Sequence, residues 1–213
     1  DDNSPQYVVP SPLNEFLSGY QILCGDSVIE QNEMKLWLGT EQGVYLFTEG
    51  RLGHWVLEGL DEPVVSILQS GRIVFVATAT RLLELDLDLD VVRDNRDIPA
   101  KVTKMKRGDD GTVYLATSQG LVVREPDGTH SHYTLTQTQE GAAISDVWAV
   151  AGAGAYILYE GGLVHLRVDG TLMRIVSGIP NPQSLAFDDI GNLWIATSTG
   201  VTEFKTATLT FTD

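Results

Sequence analysis

The chain has 213 residues, of which 43% are hydrophobic and 20% charged, which is enough for one sizeable hydrophobic core. Its 14 basic and 29 acidic residues give a formal net charge of −15, which repels phosphate backbones and anionic membranes. The longest apolar runs, such as residues 73–77, are too short to cross a bilayer. We therefore expect neither a nucleic-acid partner nor membrane insertion of this segment.

Residues 1–24 precede the regular part of the chain and are predicted to form an N-terminal extension. Within it, residues 7–9 and 21–24 are candidate edge or closing strands. The chain starts at Asp1 and not at Met, as expected after removal of a signal peptide or for an excised domain. Cys24 is the single cysteine, so no intramolecular disulfide is expected and a buried structural thiol is predicted.

A short pattern then occurs five times: an aromatic residue, usually a small residue two positions later and a threonine next, and a turn three positions after that. The copies are residues 36–44, 74–82, 113–121, 155–163 and 193–201. Their aromatic residues are Trp37, Phe75, Tyr114, Tyr156 and Trp194. Regular recurrence of this kind indicates a repeat architecture.

Each copy is predicted to contain four short strands joined by tight turns. In the third copy, β-branched and aromatic runs alternate with Gly- and Asp-rich turns. The predicted strands of this copy are residues 101–106, 112–117, 121–125 and 130–136. The same plan divides the chain into units at residues 25–60, 61–98, 99–137, 138–177 and 178–213.

A four-stranded sheet of this size cannot bury both of its faces alone, whereas sheets stacked around an axis can. The sequence therefore predicts an all-β propeller of about five four-stranded blades, either a five-bladed ring or part of a larger propeller. The five repeat aromatics are predicted to be core residues packed between blades, and the small residue lets the next sheet approach closely.

Three segments, residues 188–201, 35–43 and 111–120, carry the motif that identifies a known repeat. They resemble the two-component regulator propeller repeat, whose unit is similar to G-x-L-W-I-G-T-x-x-G-L. The resemblance covers almost the whole chain after about residue 25 and implies a bacterial periplasmic or extracellular sensor domain. It also implies a ligand, carbohydrate among the candidates, bound near one face of the ring and coupled to a signalling output.

The candidate ligand face consists of the turns between second and third strands, the loops between blades, and one aromatic on a first strand. These residues are Glu41, Gln42, Arg81, Ser118, Gln119, Trp148, Glu160, Asn181, Gln183, Ser198 and Thr199. Loops at Asp61, Glu62, Gln139 and Glu140 extend the same face. For Trp148, packing between blades is the alternative interpretation.

No metal, cofactor or catalytic residue is predicted. His130 and His132 have a spacing that can chelate a metal, but they read as a solvated pair at a blade edge. The acidic residues of 84–90 and the loops at 109–111 and 188–192 read as turns that Asp side chains cap. His165 with Glu160 is similar to the His and Glu of streptogramin lyases, which are also propellers.

The predicted function is a non-catalytic ligand-sensing or recognition propeller, with a small molecule or a protein as its ligand. One alternative is a secreted or periplasmic interaction scaffold. Another is a metal-dependent enzyme resembling streptogramin lyase or gluconolactonase. An open ring would expose a sheet edge and favour a homodimer.

Overall fold

The computed structural model describes residues 19–30, 32–48, 51–55, 60, 62–89, 91–94, 98, 100–135, 142–205 and 210–212. In these residues the chain forms 20 β-strands in five four-stranded sheets, with consecutive strands side by side. The predicted all-β class and the four-stranded sheets are confirmed. The chain divides into two compact units, residues 1–79 with 83–93 and residues 80–82 with 94–213.

The first unit holds two sheets, except that Leu82 and Asp94, at strand ends of the second sheet, are assigned to the second unit. The first sheet contains β1 (Ile22–Glu30), β2 (Glu33–Thr40), β3 (Gly43–Thr48) and β4 (Arg51–Trp55). The second contains β5 (Ser66–Ser70), β6 (Ile73–Ala77), β7 (Leu82–Asp86) and β8 (Val91–Asp94).

The second unit holds the other three sheets. The third sheet contains β9 (Val102–Arg107), β10 (Val113–Thr117), β11 (Gly120–Arg124) and β12 (His130–Tyr133). The fourth contains β13 (Ile144–Val150), β14 (Gly154–Tyr159), β15 (Gly162–Leu166) and β16 (Leu172–Ser177). The fifth contains β17 (Pro182–Phe187), β18 (Leu193–Thr197), β19 (Gly200–Lys205) and β20 (Thr210–Thr212).

Strand β1 begins earlier than the sequence analysis placed the first repeat. It pairs with β2 from Ile22 opposite Thr40 to Glu30 opposite Glu33. Residues 22–24, assigned to the N-terminal extension, therefore belong to the first sheet, because β2 offers backbone partners along its whole length. The candidate strand at residues 7–9 lies outside the described residues.

In the second unit, the repeat aromatic lies on the sheet face that the following sheet covers. Tyr114 of the third sheet packs in one apolar cluster with Val147 and Ile157 of the fourth. Tyr156 of the fourth sheet packs in another with Leu193 of the fifth. The two faces of a strand alternate, so each sheet contributes to two successive layers of core.

The first unit shows why the residue two positions after the aromatic is small. Trp37 is fully buried in a cluster with Val64, Val74 and Val76. A Cβ atom on Gly39 would clash with the Val64 side chain and with the sulfur of Cys24. The second sheet therefore approaches the first too closely for any larger residue at this position.

The prediction of a core position is wrong for Trp194, which is 39% exposed, whereas Trp37, Phe75, Tyr114 and Tyr156 are buried. Trp194 lies on the fifth-sheet face that corresponds to the Tyr114 and Tyr156 faces. The fifth sheet is the last in its unit, and among the described residues of that unit no later sheet packs on this face. Its neighbour Val201 is exposed as well.

No helix in the described part of the chain has the length and apolar character that a bilayer crossing requires.

Candidate functional site

The threonine of the repeat holds the turn between the second and third strands. Thr40 Oγ1 donates a hydrogen bond to the carbonyl oxygen of Gly43 at 3.1 Å and accepts one from the Gln42 amide at 3.0 Å. Thr117 and Thr197 make the same pair of bonds in their own sheets. Because these bonds hold the turn, the two residues at its tip are free to vary in sequence.

In the third and fourth sheets, the glycine that ends the turn between the second and third strands is required by the backbone. Gly120 has a φ of +136°, and a Cβ atom there would collide with the carbonyl oxygen of Tyr133. Gly162 has the same φ and would collide with the carbonyl oxygen of Val176. Only glycine is compatible with both the left-handed backbone and the close neighbouring strand.

Within each unit, these turns lie beside the segment that leads into a first strand. The Val64 amide donates to the carbonyl oxygen of Thr40 at 3.0 Å. In the fifth sheet, the Ser198 amide donates to the Asn181 carbonyl oxygen, and Asn181 Nδ2 donates to Ser198 Oγ, each at 3.3 Å. The structure thus brings together Asn181 and Ser198, two of the predicted ligand-face residues.

The other predicted residues have varied surroundings. In the first unit, Glu41 accepts a bond from the Gln21 amide at 3.2 Å, and Gln42 lies beside it. In the second unit, Arg81 pairs with Asp94 at 3.3 Å. The other predicted ligand-face residues of that unit occupy exposed positions on turns or strands; they are Ser118, Gln119, Glu160, Gln183, Ser198 and Thr199. Asp61, Gln139 and Glu140 lie outside the described residues.

The surroundings of Trp148 match the packing interpretation. Its ring stacks on Phe187 of the fifth sheet, with centroids 5.9 Å apart and an interplanar angle of 29°. Lys106 Nζ lies 5.5 Å from the Trp148 ring centroid, within cation–π range. Trp148 therefore joins three consecutive sheets of the second unit.

A polar row on the first strands of the second unit was not predicted. Lys104, Asp146 and Ser184 occupy equivalent positions, each opposite the residue two positions after the repeat aromatic. Asp146 is buried, with Lys104 Nζ 2.7 Å from one carboxylate oxygen and Ser184 Oγ donating to the other at 3.0 Å. When the repeats are aligned, Lys104 and Asp146 occupy the same position with opposite charges, and this signal could have revealed the polar row from the sequence.

A comparable buried hub joins the two sheets of the first unit. Trp37 Nε1 donates to Gln69 Oε1 at 2.6 Å, and Gln69 Nε2 donates to Glu30 Oε1 at 2.5 Å. The backbone amide of Gln69 donates a hydrogen bond to Asp26 Oδ2 at 2.8 Å. These bonds satisfy buried polar groups and fix the register between sheets.

A cleft of about 170 Å³ opens between the third and fourth sheets. Turns 108–112 and 150–154, which join first to second strands, lie beside the cleft. The cleft is therefore at the end of these sheets opposite to the turns between second and third strands. Tyr114, Asp110 and Glu125 are among its lining residues. Burial, reinforced by the nearby Asp110 and Glu125 carboxylates and by Tyr133, raises the pKa of Tyr114 to about 12.

Aspartates cap the acidic turns, as predicted for residues 84–90, 109–111 and 188–192. Asp86, Asp110 and Asp188 each accept a bond from the backbone amide two residues later, at 3.1, 2.9 and 3.1 Å. Asp127 does the same at 2.8 Å, and its bonds from the Thr129 amide and hydroxyl lower the pKa of the Asp127 carboxyl. Among the described residues, no group of three His, Cys, Asp or Glu side chains is placed to hold a metal ion.

The histidines have structural contacts. His165 stacks on Tyr156 with centroids 4.5 Å apart, and its Nε2 lies 2.8 Å from the Ala153 carbonyl oxygen. His130 and His132 lie on β12, the last strand of the third sheet, with the His132 side chain exposed. The side chain of His54 lies outside the described residues.

Solved structures share this fold. The chain superposes on the extracellular domain of BT4673 from B. thetaiotaomicron, described as a hybrid two-component system, with a TM-score of 0.71 and 20% identity over 90% of this chain. The corresponding domain of BT3049 gives a TM-score of 0.67 and 20% identity, also over 90% of this chain. The predicted resemblance to two-component sensor propellers is confirmed at the level of the fold.

The chain spans only 27% and 29% of the lengths of those two sensor structures. Virginiamycin B lyase from Staphylococcus aureus is also similar, with a TM-score of 0.65 and 14% identity over 84% of this chain and 68% of the lyase. No family model matches the sequence, and no curated protein matches it either. At these identities the likeness establishes the fold and leaves the activity open.

Proposed function

We propose that this chain is a non-catalytic, extracytoplasmic ligand-sensing propeller, the sensor part of a bacterial signalling receptor. Its five sheets would be consecutive blades. The observation that carries this proposal is the separation of a fixed frame from variable turn tips. Thr117 and Gly120 hold a turn whose tip, Ser118 and Gln119, is exposed. The hydrogen bonds of this turn do not use the side chains of the tip residues. Function on such scaffolds resides in loops of this kind.

The proposed ligand is a small molecule, with carbohydrates first among the candidates, or a protein. Asn181 with Ser198, and Gln119 at the edge of a pocket of about 150 Å³, present amide and hydroxyl groups. Such groups donate and accept hydrogen bonds at once, as sugar hydroxyls require. The fold shared with extracellular domains of two-component systems supports a role outside the cytoplasm.

The test is a thermal-shift screen with glycans, amino acids and peptides, followed by calorimetry on each hit. A true ligand raises the melting temperature with its concentration, by mass action. Substituting Gln119 or Asn181 by Ala should abolish the shift, while Asp127→Asn, at the opposite end of the third sheet, should leave it unchanged. If no compound or partner protein gives a shift that these variants remove, the sensing role is wrong.

An enzyme related in mechanism to the lyase is the second candidate, because the virginiamycin B lyase fold superposes on most of the chain. Incubating the protein with a streptogramin and Mg²⁺, and following product by mass spectrometry, tests it directly. Turnover would replace the sensing proposal. Size-exclusion chromatography with light scattering tests the scaffold and homodimer alternatives on the same sample.

A further inference from the structure

The cleft between the third and fourth sheets contains polar groups without partners. Tyr114 is only 7% exposed, yet its hydroxyl makes no hydrogen bond with any described residue. The Tyr133 hydroxyl also lines the cleft and likewise makes none within the described part of the second unit. Both phenol oxygens are open to the cleft, so a ligand that enters it can replace water as their hydrogen-bond partner.

The charge of the cleft is negative. Asp109, Asp110 and Glu125 contribute carboxylates, against the single cation of Arg167. Arg167 is exposed and its Nη2 lies 3.3 Å from the sulfur of Met173. Asp110 is engaged in its own turn through the Thr112 amide. The carboxylate of Glu125 forms no ion pair with any described residue, so it is available to a ligand.

This pattern selects the class of ligand. Phosphates and carboxylates would be repelled by Asp109, Asp110 and Glu125, which outnumber the cation of Arg167. Tyr114, with its pKa raised to about 12, is a neutral phenol near neutral pH, and like any phenol its oxygen can accept a hydrogen bond. A cation that donates several hydrogen bonds satisfies both the carboxylate and the two phenol oxygens.

We propose that the cleft binds a primary alkylammonium group, with Glu125 as the counter-ion and the Tyr114 hydroxyl as a hydrogen-bond acceptor. Its volume of about 170 Å³ corresponds to roughly five or six waters at about 30 Å³ each, the scale of a butylammonium group. A small free amine or a single lysine side chain of a peptide has this size. The site is at the opposite end of the sheets from the predicted ligand face, so it does not depend on the proposed function.

The test is titration calorimetry at neutral pH in an amine-free buffer, with n-butylamine as the probe. 1-Butanol has the same length without the charge, and butyrate has the opposite charge. We expect saturable binding of n-butylamine, at least about tenfold weaker binding of 1-butanol, and none of butyrate. Cadaverine and Nα-acetyl-lysine amide then distinguish a free diamine from a lysine side chain as the natural source.

Two variants link the binding to the cleft. Glu125→Gln preserves shape and removes the charge, and should weaken n-butylamine binding about tenfold or more. Tyr114→Phe preserves the ring and should weaken it about three- to tenfold. Glu160→Gln removes an exposed carboxylate from a turn at the other end of the same unit and should have no effect.

Binding must also perturb the amide NMR signals of Gly152 and Gly170, which line the cleft. This readout remains informative if Glu125→Gln lowers stability, because Tyr114→Phe can be followed in the same way. Equal affinity for 1-butanol, undiminished binding in Glu125→Gln, or the absence of saturable binding of n-butylamine would each overturn the proposal.

Discussion

Lys104 Nζ lies 2.7 Å from Asp146 Oδ1 and joins the first strands of two consecutive sheets. Asp146 is 1% exposed and also accepts bonds from the Val147 and Leu185 amides and from Ser184 Oγ. A carboxylate so fully bonded tolerates burial, but removing it leaves several donors without acceptors.

We therefore expect Asp146→Ala to lower the free energy of unfolding by about 3–5 kcal/mol. Lys104→Met should cost only about 1–2 kcal/mol, since the carboxylate keeps its three other donors. Urea denaturation of the two single variants and the double variant measures both costs and their coupling. A Lys104→Met cost equal to that of Asp146→Ala would contradict this ranking.

The two tryptophans of the repeat should respond differently to substitution. Trp37→Phe removes the donor to Gln69 Oε1 inside a fully buried contact, which should cost about 1–3 kcal/mol. Trp194→Phe removes an exposed bond to Asp188 Oδ2 and should stay within about 0.5 kcal/mol. Thermal unfolding of both variants provides the comparison. Similar losses would indicate that Trp194 is buried in solution.

Gly120 and Gly191 form a matched pair in the second unit. Both have positive φ, +136° and +86°, but only at Gly120 would a Cβ atom collide with backbone, at the Tyr133 carbonyl. Gly191→Ala should cost about 1–2 kcal/mol from backbone strain alone, and Gly120→Ala should cost clearly more. Chemical denaturation separates the two, and equal costs would show that the neighbouring strand can move away.

Cys24 should react slowly while the protein is folded. Burial raises the pKa of its thiol from 9.0 to about 11, so little thiolate is present at mildly alkaline pH. The neutral thiol is favoured in the folded state, so its contribution to stability is complete below pH 9 and is lost as the pH rises towards 11. We expect Ellman's reagent to react fast only after denaturant is added.

A Cys24→Ser variant provides the control, because it removes the titrating thiol. Its stability should decline less between pH 9 and 11 than that of the unmodified chain. Rapid modification of the folded protein by Ellman's reagent at mildly alkaline pH would contradict the partly buried position of Cys24 beside Val64.

The repeat allowed the strands to be predicted because its period is local. The four predicted strands of the third copy all overlap β9 to β12, since Gly, Asp and Pro residues mark each turn between them. The Thr and Gly positions also followed from the pattern, and the bonds of Thr117 and the φ of Gly120 explain them.

Trp194 and the cleft show where local information ended. The same motif surrounds Trp37 and Trp194, yet only Trp37 has a later sheet of its unit packed over it. Burial depends on which sheet follows in space, which a repeat unit does not encode. Tyr114 lies on β10 and Glu125 directly follows β11, so no spacing in the sequence indicated that they face one cleft.

The sequence alone determined the class of fold, the four-stranded plan and the residues that hold each turn. These follow from backbone preferences and side-chain alternation within a few residues. Only the tertiary structure decided which aromatic is exposed, how Lys104 finds Asp146 and where a cleft opens. These depend on the packing of one sheet against the next, where distances of a few ångströms between strands remote in the chain set the energies.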